Sequence, residues 1–285
     1  MMTDILIKDP VSVDKKIAML KDSGCKNLHI ISDFDKTLTE AFVGDKKVHS
    51  IMALIRDNNY LSPDYSSKAF ALFDKFHPIE ISVETPLKEK KAKMQEWWSS
   101  HLKLLIDSGM NKKVIDDIIK KELIKFRKGA LELLDIAFKF GIPLVIFSSA
   151  LGDVIVGLLK AKGKLSSNVH VISNFFDFDE AGFVKGYKSD IIHVFNKDEF
   201  QVQKKKYFQS IKDRKNVILL GDSLGDARMS EGIPHDVVFR IGLLNSDIEK
   251  NKKAYMDAFD VVLYGSDISL DYVSSLIKDI CGPVV

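Results

Sequence analysis

The chain has 285 residues, 46% of them apolar, enough to bury a sizeable core in one large or two unequal domains. Its 42 lysines and arginines stand against 40 acidic residues, a formal net charge of +2, which excludes the clustered basic footprint of a nucleic-acid binder. Two distant cysteines (Cys25 and Cys281), no secretory signal in Met1 to Pro10 and no apolar run long enough for a bilayer exclude a disulfide framework and a membrane partner, so a soluble cytoplasmic protein is expected.

The first predicted strand is Leu28-His29-Ile30-Ile31, an apolar run that stops at Ser32-Asp33-Phe34-Asp35. From about 42 to 127 no buried strand is legible, and 63–76, 87–107 and 111–126 read as amphipathic helices. Residues 42–127 are therefore taken as a mostly helical cap domain, inserted after the first strand and placed over the sheet's carboxyl edge. Residues 1–41 and 128–285 form the core domain. A helix over 130–140 precedes the strand Pro143-Leu144-Val145-Ile146-Phe147, which ends at Ser148-Ser149. A helix over 153–162 leads to Val169-His170-Val171-Ile172, and 175–188 read as a small β excursion with a turn. A helix is expected over 200–212, its Lys204-Lys205-Lys206 run forming a solvated face. Val217-Ile218-Leu219-Leu220 ends at Gly221-Asp222, and strands at Val237-Val238-Phe239 and Val261-Val262-Leu263 flank a helix over 246–257. Such β-branched runs suit strands buried on both faces, and their alternation with helices predicts a doubly wound α/β domain around a parallel sheet.

Four stretches carry chemistry. In Asp33-Phe34-Asp35-Lys36-Thr37-Leu38-Thr39, residues two apart in extended backbone point the same way, so both carboxylates face one site. Open α/β sheets bind ligands outside the carboxyl ends of their strands, where this pair falls. A carboxylate there can attack phosphorus, while its neighbour protonates the leaving oxygen and later activates water. A turn whose aspartates only cap amides is the bland alternative. Gly221-Asp222-Ser223-Leu224-Gly225-Asp226 is ordinary loop chemistry alone, but two acidic loops at two strand ends are what Mg²⁺ and a phosphate jointly require. Asp33 and Asp222, with the main-chain carbonyl of Asp35, form the expected ligand set. Asp226 is expected to act through water or to orient its neighbours. Ser148 and Ser149 offer a hydroxyl and amides to a phosphate, although alone the segment reads more readily as a helix N-cap. A cation must offset this charge; Lys197, in His193-Val194-Phe195-Asn196-Lys197, cannot be told from 42 basic residues by spacing. Seven histidines and two cysteines show no zinc spacing.

In this order the elements resemble the haloacid dehalogenase-like phosphatase superfamily. The match extends to the cytosolic 5'-nucleotidase type III (pyrimidine 5'-nucleotidase) family through Ile31-Ser32-Asp33-Phe34-Asp35-Lys36-Thr37-Leu38, Glu96-Trp97-Trp98, Phe147-Ser148, Val171-Ile172-Ser173-Asn174-Phe175, His193-Val194-Phe195-Asn196-Lys197 and Leu220-Gly221-Asp222-Ser223. The resemblance implies Asp33 as nucleophile and Asp35 as acid/base. It implies Asp33, Asp35 and Asp222 as Mg²⁺ ligands, and Ser148, Ser149 and Lys197 as phosphate contacts. The family's base-reading glutamate falls on Glu80, and a cap position that is serine in some relatives falls on His101. Relatives often read Phe-Ser-Ala-Gly where this chain has Phe147-Ser148-Ser149-Ala150, so their glycine is missing at 150, and they often carry methionine at Lys36. Two adjacent indoles on a helix point a quarter-turn or more apart, so Trp97 is assigned to the core and Trp98 to the nucleotide pocket opposite Glu80. The expected activity is Mg²⁺-dependent hydrolysis of nucleoside 5'-monophosphates such as CMP and UMP, with phosphotransfer to a nucleoside as a compatible side reaction. 7-Methyl-GMP is expected to be accepted besides or ahead of CMP, because the Trp98 indole and the Glu80 carboxylate attract a cationic base. The alternatives are a phosphatase for another small phosphate ester and a catalytically silent nucleotide-binding module. Sequence leaves the oligomeric state open, a monomer being compatible with it.

Overall fold

In the computed structural model, which describes residues 3–44, 46–58, 60–82, 84–197, 208–265 and 267–282, the chain opens with β1 (Asp4–Ile7), α1 (Pro10–Ser23) and β2 (Leu28–Ser32). A small hairpin, β3 (Phe42–Val43) and β4 (Lys46–Lys47), precedes four helices: α2 (Ile51–Asp57), α3 (Tyr65–Ile81), α4 (Leu87–Asp107) and α5 (Lys112–Lys120). Then come α6 (Ala130–Lys139), β5 (Leu144–Leu151), α7 (Gly152–Ala161), β6 (Val169–Asn174), β7 (Phe176–Phe178) and β8 (Val184–Tyr187). The last third holds α8 (Phe208–Ile211), β9 (Asn216–Gly221), β10 (Val237–Leu244), α9 (Ile248–Ala258), β11 (Val261–Tyr264) and α10 (Asp271–Cys281).

The six predicted strands pair into one seven-stranded sheet of order β1-β11-β10-β9-β2-β5-β6. All pairings are parallel except β1 with β11. Alternation along each strand divides the core. Ile30, Ile146, Ile218 and Ile241 join the larger apolar cluster on one face, and Ile31, Val145, Leu219 and Val262 join a second cluster on the other. Both faces are thus covered, which is why these strands read as near-continuous apolar runs. From β2 the chain winds outward through β5 and β6, then returns to fill β9, β10 and β11 on the other side. The order therefore reverses at β2, and a crevice opens beyond its carboxyl end between β5 and β9.

Several elements differ from expectation. β1 and α1 were not legible: β1 is an exposed antiparallel edge strand, so it lacks a buried run. The helix expected over 111–126 ends at Lys120. Glu122 takes a left-handed φ of 49°, and the chain runs back so that Phe126 pairs with Thr39. Helix α3 continues through Pro78 to Ile81, which puts Glu80 on a helix. Of the helix expected over 200–212, only Phe208–Ile211 lies among the described residues, and Lys204-Lys205-Lys206 lies outside them. Cys25 and Cys281 are free thiols in contact, and burial followed by its bond to Cys25 pushes the Cys281 thiol up to about 12. No described helix is long and apolar enough to cross a membrane.

Candidate active site

The Asp33 N–H donates to the Leu220 carbonyl at 3.0 Å, extending the β2–β9 ladder by one residue before the chain turns. Phe34 is fully buried, its ring edge-on to Phe126 at 6.0 Å, which directs Asp33 and Asp35 the other way. The turn closes on the Phe34 carbonyl, which accepts from Leu38 N at 3.0 Å and Thr39 N at 3.1 Å. Lys36 holds a left-handed φ of 59°, and its N–H donates to the Thr39 hydroxyl at 2.8 Å. Arg127 locks the same turn, donating to the carbonyls of Thr37 (2.9 Å) and Lys36 (2.5 Å) and to Asn245 (2.8 Å).

Asp222 follows β9, its carbonyl bonded to the Tyr255 hydroxyl at 2.5 Å. Gly221 is required here because a Cβ would collide with the Asp226 side chain. Asp226 accepts from Ser223 N (3.0 Å) and the Ser223 hydroxyl (2.7 Å), which turns its other oxygen toward Lys197 at 3.0 Å. Lys197 also pairs with Asp33. It arrives on a loop folded by two asparagines. Asn174 bonds both the N–H (2.8 Å) and carbonyl (2.9 Å) of Ile192, and Asn196 bonds His193 N (2.7 Å) and the Ile191 carbonyl (2.9 Å). The string that carried the family resemblance is thus the scaffold that delivers one buried ammonium.

One carboxylate oxygen each of Asp33, Asp222 and Asp226 lies within 4.8 Å of the others, a hard-oxygen set suited to a divalent cation. The Asp35 carboxylate is outside this group and accepts instead from Ile51 N, at 3.3 and 3.4 Å. Ser148 and Ser149 do not cap α7, whose N-cap Leu151 makes no side-chain bond. The Ser148 hydroxyl accepts from Ala150 N at 3.1 Å, holding the loop over the crevice, and the Ser149 carbonyl is tied to Asn174 at 2.7 Å.

Burial pushes Asp35 up to about 6 and, with Asp226 adding repulsion, Asp222 up to about 7. Burial also drives Asp33 well above the usual carboxylate range, against the pull of Lys197. For Lys197 burial acts downward, but Asp226 and Asp33 overcome it and hold the ammonium charged.

A cleft of about 520 Å³ runs from these groups to the helices α2, α3 and α4. Glu80, Trp98 and His101 line its far end. Trp98 and His101 are one turn apart on α4, and Glu80 accepts from His77 Nδ1 at 2.9 Å on α3. His101 is buried, which lowers it to about 4, with Arg56 adding to the effect; it is neutral at pH 7 and meets the Tyr65 hydroxyl at 2.9 Å. The split between the two indoles is not kept. Trp97, expected in the core, is half-buried and lines the cleft, stacked at 5.9 Å on Phe76 and edge-on to Phe73 at 6.0 Å. Trp98 lines the cleft too, and it is Trp98 that packs against the main core. Arg56, Phe73 and His77 also line it and were missed. The (i, i+4) spacing of Phe73 and His77, whose rings stack at 4.5 Å, was a usable signal; Arg56 offered none.

A family model described as "Pyrimidine 5'-nucleotidase (UMPH-1)" matches residues 36–281. The 7-methylguanosine phosphate-specific 5'-nucleotidase of Gallus gallus is 35% identical over 275 residues, covering 96% of this chain and 95% of the relative. The crystal structure of cytosolic 5'-nucleotidase IIIB bound to cytidine superposes with a TM-score of 0.86 at 30% identity, over 97% of this chain and 93% of that one. A substrate-bound phosphoserine phosphatase, 14% identical with a TM-score of 0.51 over 88% of this chain and 98% of its own, shares the fold.

Proposed function

The chain belongs to the pyrimidine 5'-nucleotidase family and is a phosphoric monoester hydrolase, and from that premise we propose that its cleft hydrolyses nucleoside 5'-monophosphates with Asp33 as nucleophile and Mg²⁺ as cofactor. The observation that carries the reading is that nine residues singled out from separate stretches of sequence line one cleft. Asp33 attacks phosphorus, the bond to the 5'-oxygen breaks, and the phosphoryl group passes to the carboxylate. Asp35 gives its proton to the departing oxygen; a carboxyl pushed up to about 6 still carries one in part near neutrality. Ionised by that transfer, Asp35 then takes a proton from the water that releases phosphate. Lys197, the Ser148 hydroxyl and the Ser149 N–H hold the phosphate oxygens. Asp33, Asp222 and the Asp35 carbonyl would hold Mg²⁺, with Asp226 behind them, and when bound the ion neutralises phosphate charge in the transition state.

Residues 42–127 are taken as the unit that selects the substrate, with Glu80, Trp98 and neutral His101 facing the base. Cytidine and uridine monophosphates, and 7-methyl-GMP, are the candidates. A cytoplasmic setting and water as the ordinary phosphate acceptor complete the proposal. It is tested by phosphate release from a panel of nucleoside monophosphates with and without Mg²⁺. Release from none of them, alongside turnover of p-nitrophenyl phosphate, would leave a phosphatase for another small ester.

A pH prediction follows from the buried carboxylates. Their raised pKa values mean that the folded metal-free chain binds more protons than the unfolded chain, so its stability falls as pH rises from about 4 to about 7. Mg²⁺ replaces those protons, so its stabilisation of the fold should grow over the same range. Thermal melts at pH 5.5 and 7.5, with and without Mg²⁺, should show the larger Tm increase at pH 7.5. In Asp222→Asn the increase should disappear at both.

A further inference from the structure

The far end of the cleft holds a cation for which the proposed mechanism has no use. Arg56, on the last turn of α2, is clamped between two rings, its Cζ 4.5 Å from the Phe70 centroid and 4.6 Å from that of Phe73. Its Nε donates to Asp57 at 3.0 Å, and Asp57 also accepts from His49 Nδ1 at 2.7 Å. The side chain is only 14% exposed and lines the cleft. Its two terminal amino groups donate to no other group among the described residues. These donors belong to a rigid planar fork packed against two rings on the wall of the cleft. Only the edge of the fork remains, and it suits two acceptor atoms side by side in one plane.

We propose that Arg56 is a specificity-determining residue that reads the base, selecting a neutral base with adjacent acceptors over a cationic one. The inference rests on the nucleotidase reading above. Cytosine offers such a pair in its O2 and N3 atoms. 7-Methylguanine does not, because the methyl group removes the N7 acceptor beside O6 and leaves a positive charge facing the guanidinium. Glu80, the carboxylate that would welcome a cationic base, already accepts from His77, and Asp57 is shared between Arg56 and His49.

The test compares kcat/KM for CMP, 7-methyl-GMP and p-nitrophenyl phosphate in the wild type, Arg56→Met and Arg56→Lys. The wild type should favour CMP over 7-methyl-GMP. Arg56→Met should lose about tenfold more on CMP than on p-nitrophenyl phosphate, mainly through KM, as expected for a lost hydrogen bond to a charged group. The CMP to 7-methyl-GMP ratio should fall with it. Arg56→Lys, which keeps the charge but not the fork, should show an intermediate ratio, and it carries the comparison if Arg56→Met does not fold. An unchanged ratio in both variants, or equal losses on all three substrates, would make Arg56 a staple between α2 and α3 and overturn the proposal. A wild type that cleaves p-nitrophenyl phosphate but no nucleotide would instead overturn the nucleotidase reading, and this one with it.

Discussion

Asp33→Asn should lower phosphate release by at least about 10⁴-fold, the order of loss seen when a covalent nucleophile is removed. The fold should survive. Asparagine keeps the shape, the backbone bond to Leu220 and an acceptor for Lys197, while removing a carboxylate whose burial already disfavours its charge. Far-UV circular dichroism and Tm should therefore match the wild type as turnover disappears. Because the amide cannot form a stable phosphoryl adduct, good and poor leaving groups should be affected alike. Turnover of p-nitrophenyl phosphate at near wild-type rate would leave Asp33 as a metal ligand only.

Lys197→Met should damage both stability and activity. The ammonium is 5% exposed and faces Asp33 and Asp226, with Asp222 in the same cluster. Without it, buried carboxylates lose their counter-charge, a change that costs about 3–5 kcal/mol when one partner of a buried pair is removed. The carboxylates can escape part of this by taking up protons, so the destabilisation should be larger at pH 8 than at pH 5.5. Denaturant melts at the two pH values check the sign. Turnover at pH 7.5 should fall about 10²–10³-fold, as for removal of a preorganised charge-stabilising donor. A variant as stable as the wild type at pH 8 would show that the acidic cluster does not depend on Lys197.

What was legible in the chain follows from how locally each feature is specified. The strands of the sheet centre were legible because burial on both faces makes them near-continuous apolar runs, whereas β1, exposed at the edge, left no such trace. Asp33 and Asp35 could be placed from alternation alone, since Phe34 between them points into the core. The end of α5 was misjudged because Phe126 is apolar for pairing beside Thr39, not for a helix face. Lys197 is different in kind. Its position depends on hydrogen bonds from Asn174 and Asn196 to a loop with no periodicity, so only the family string could single it out. Arg56 was invisible for a related reason. Its neighbours Phe70 and Phe73 lie on the next helix, and the seven residues of α2 are too few for a periodic signal.

The covalent step is the centre of the account, and Asp35→Asn is the enzyme in which to see it. With p-nitrophenyl phosphate the leaving group departs without a proton, so the first step should proceed while water activation fails. The phosphoryl group should then accumulate on the protein. Rapid acid quench followed by peptide mass spectrometry should find one phosphoryl group, on the peptide containing Asp33, appearing with a burst of p-nitrophenol and absent from Asp33→Asn. A burst without any phosphorylated peptide, or a phosphoryl group on a residue other than Asp33, would contradict nucleophilic attack by Asp33.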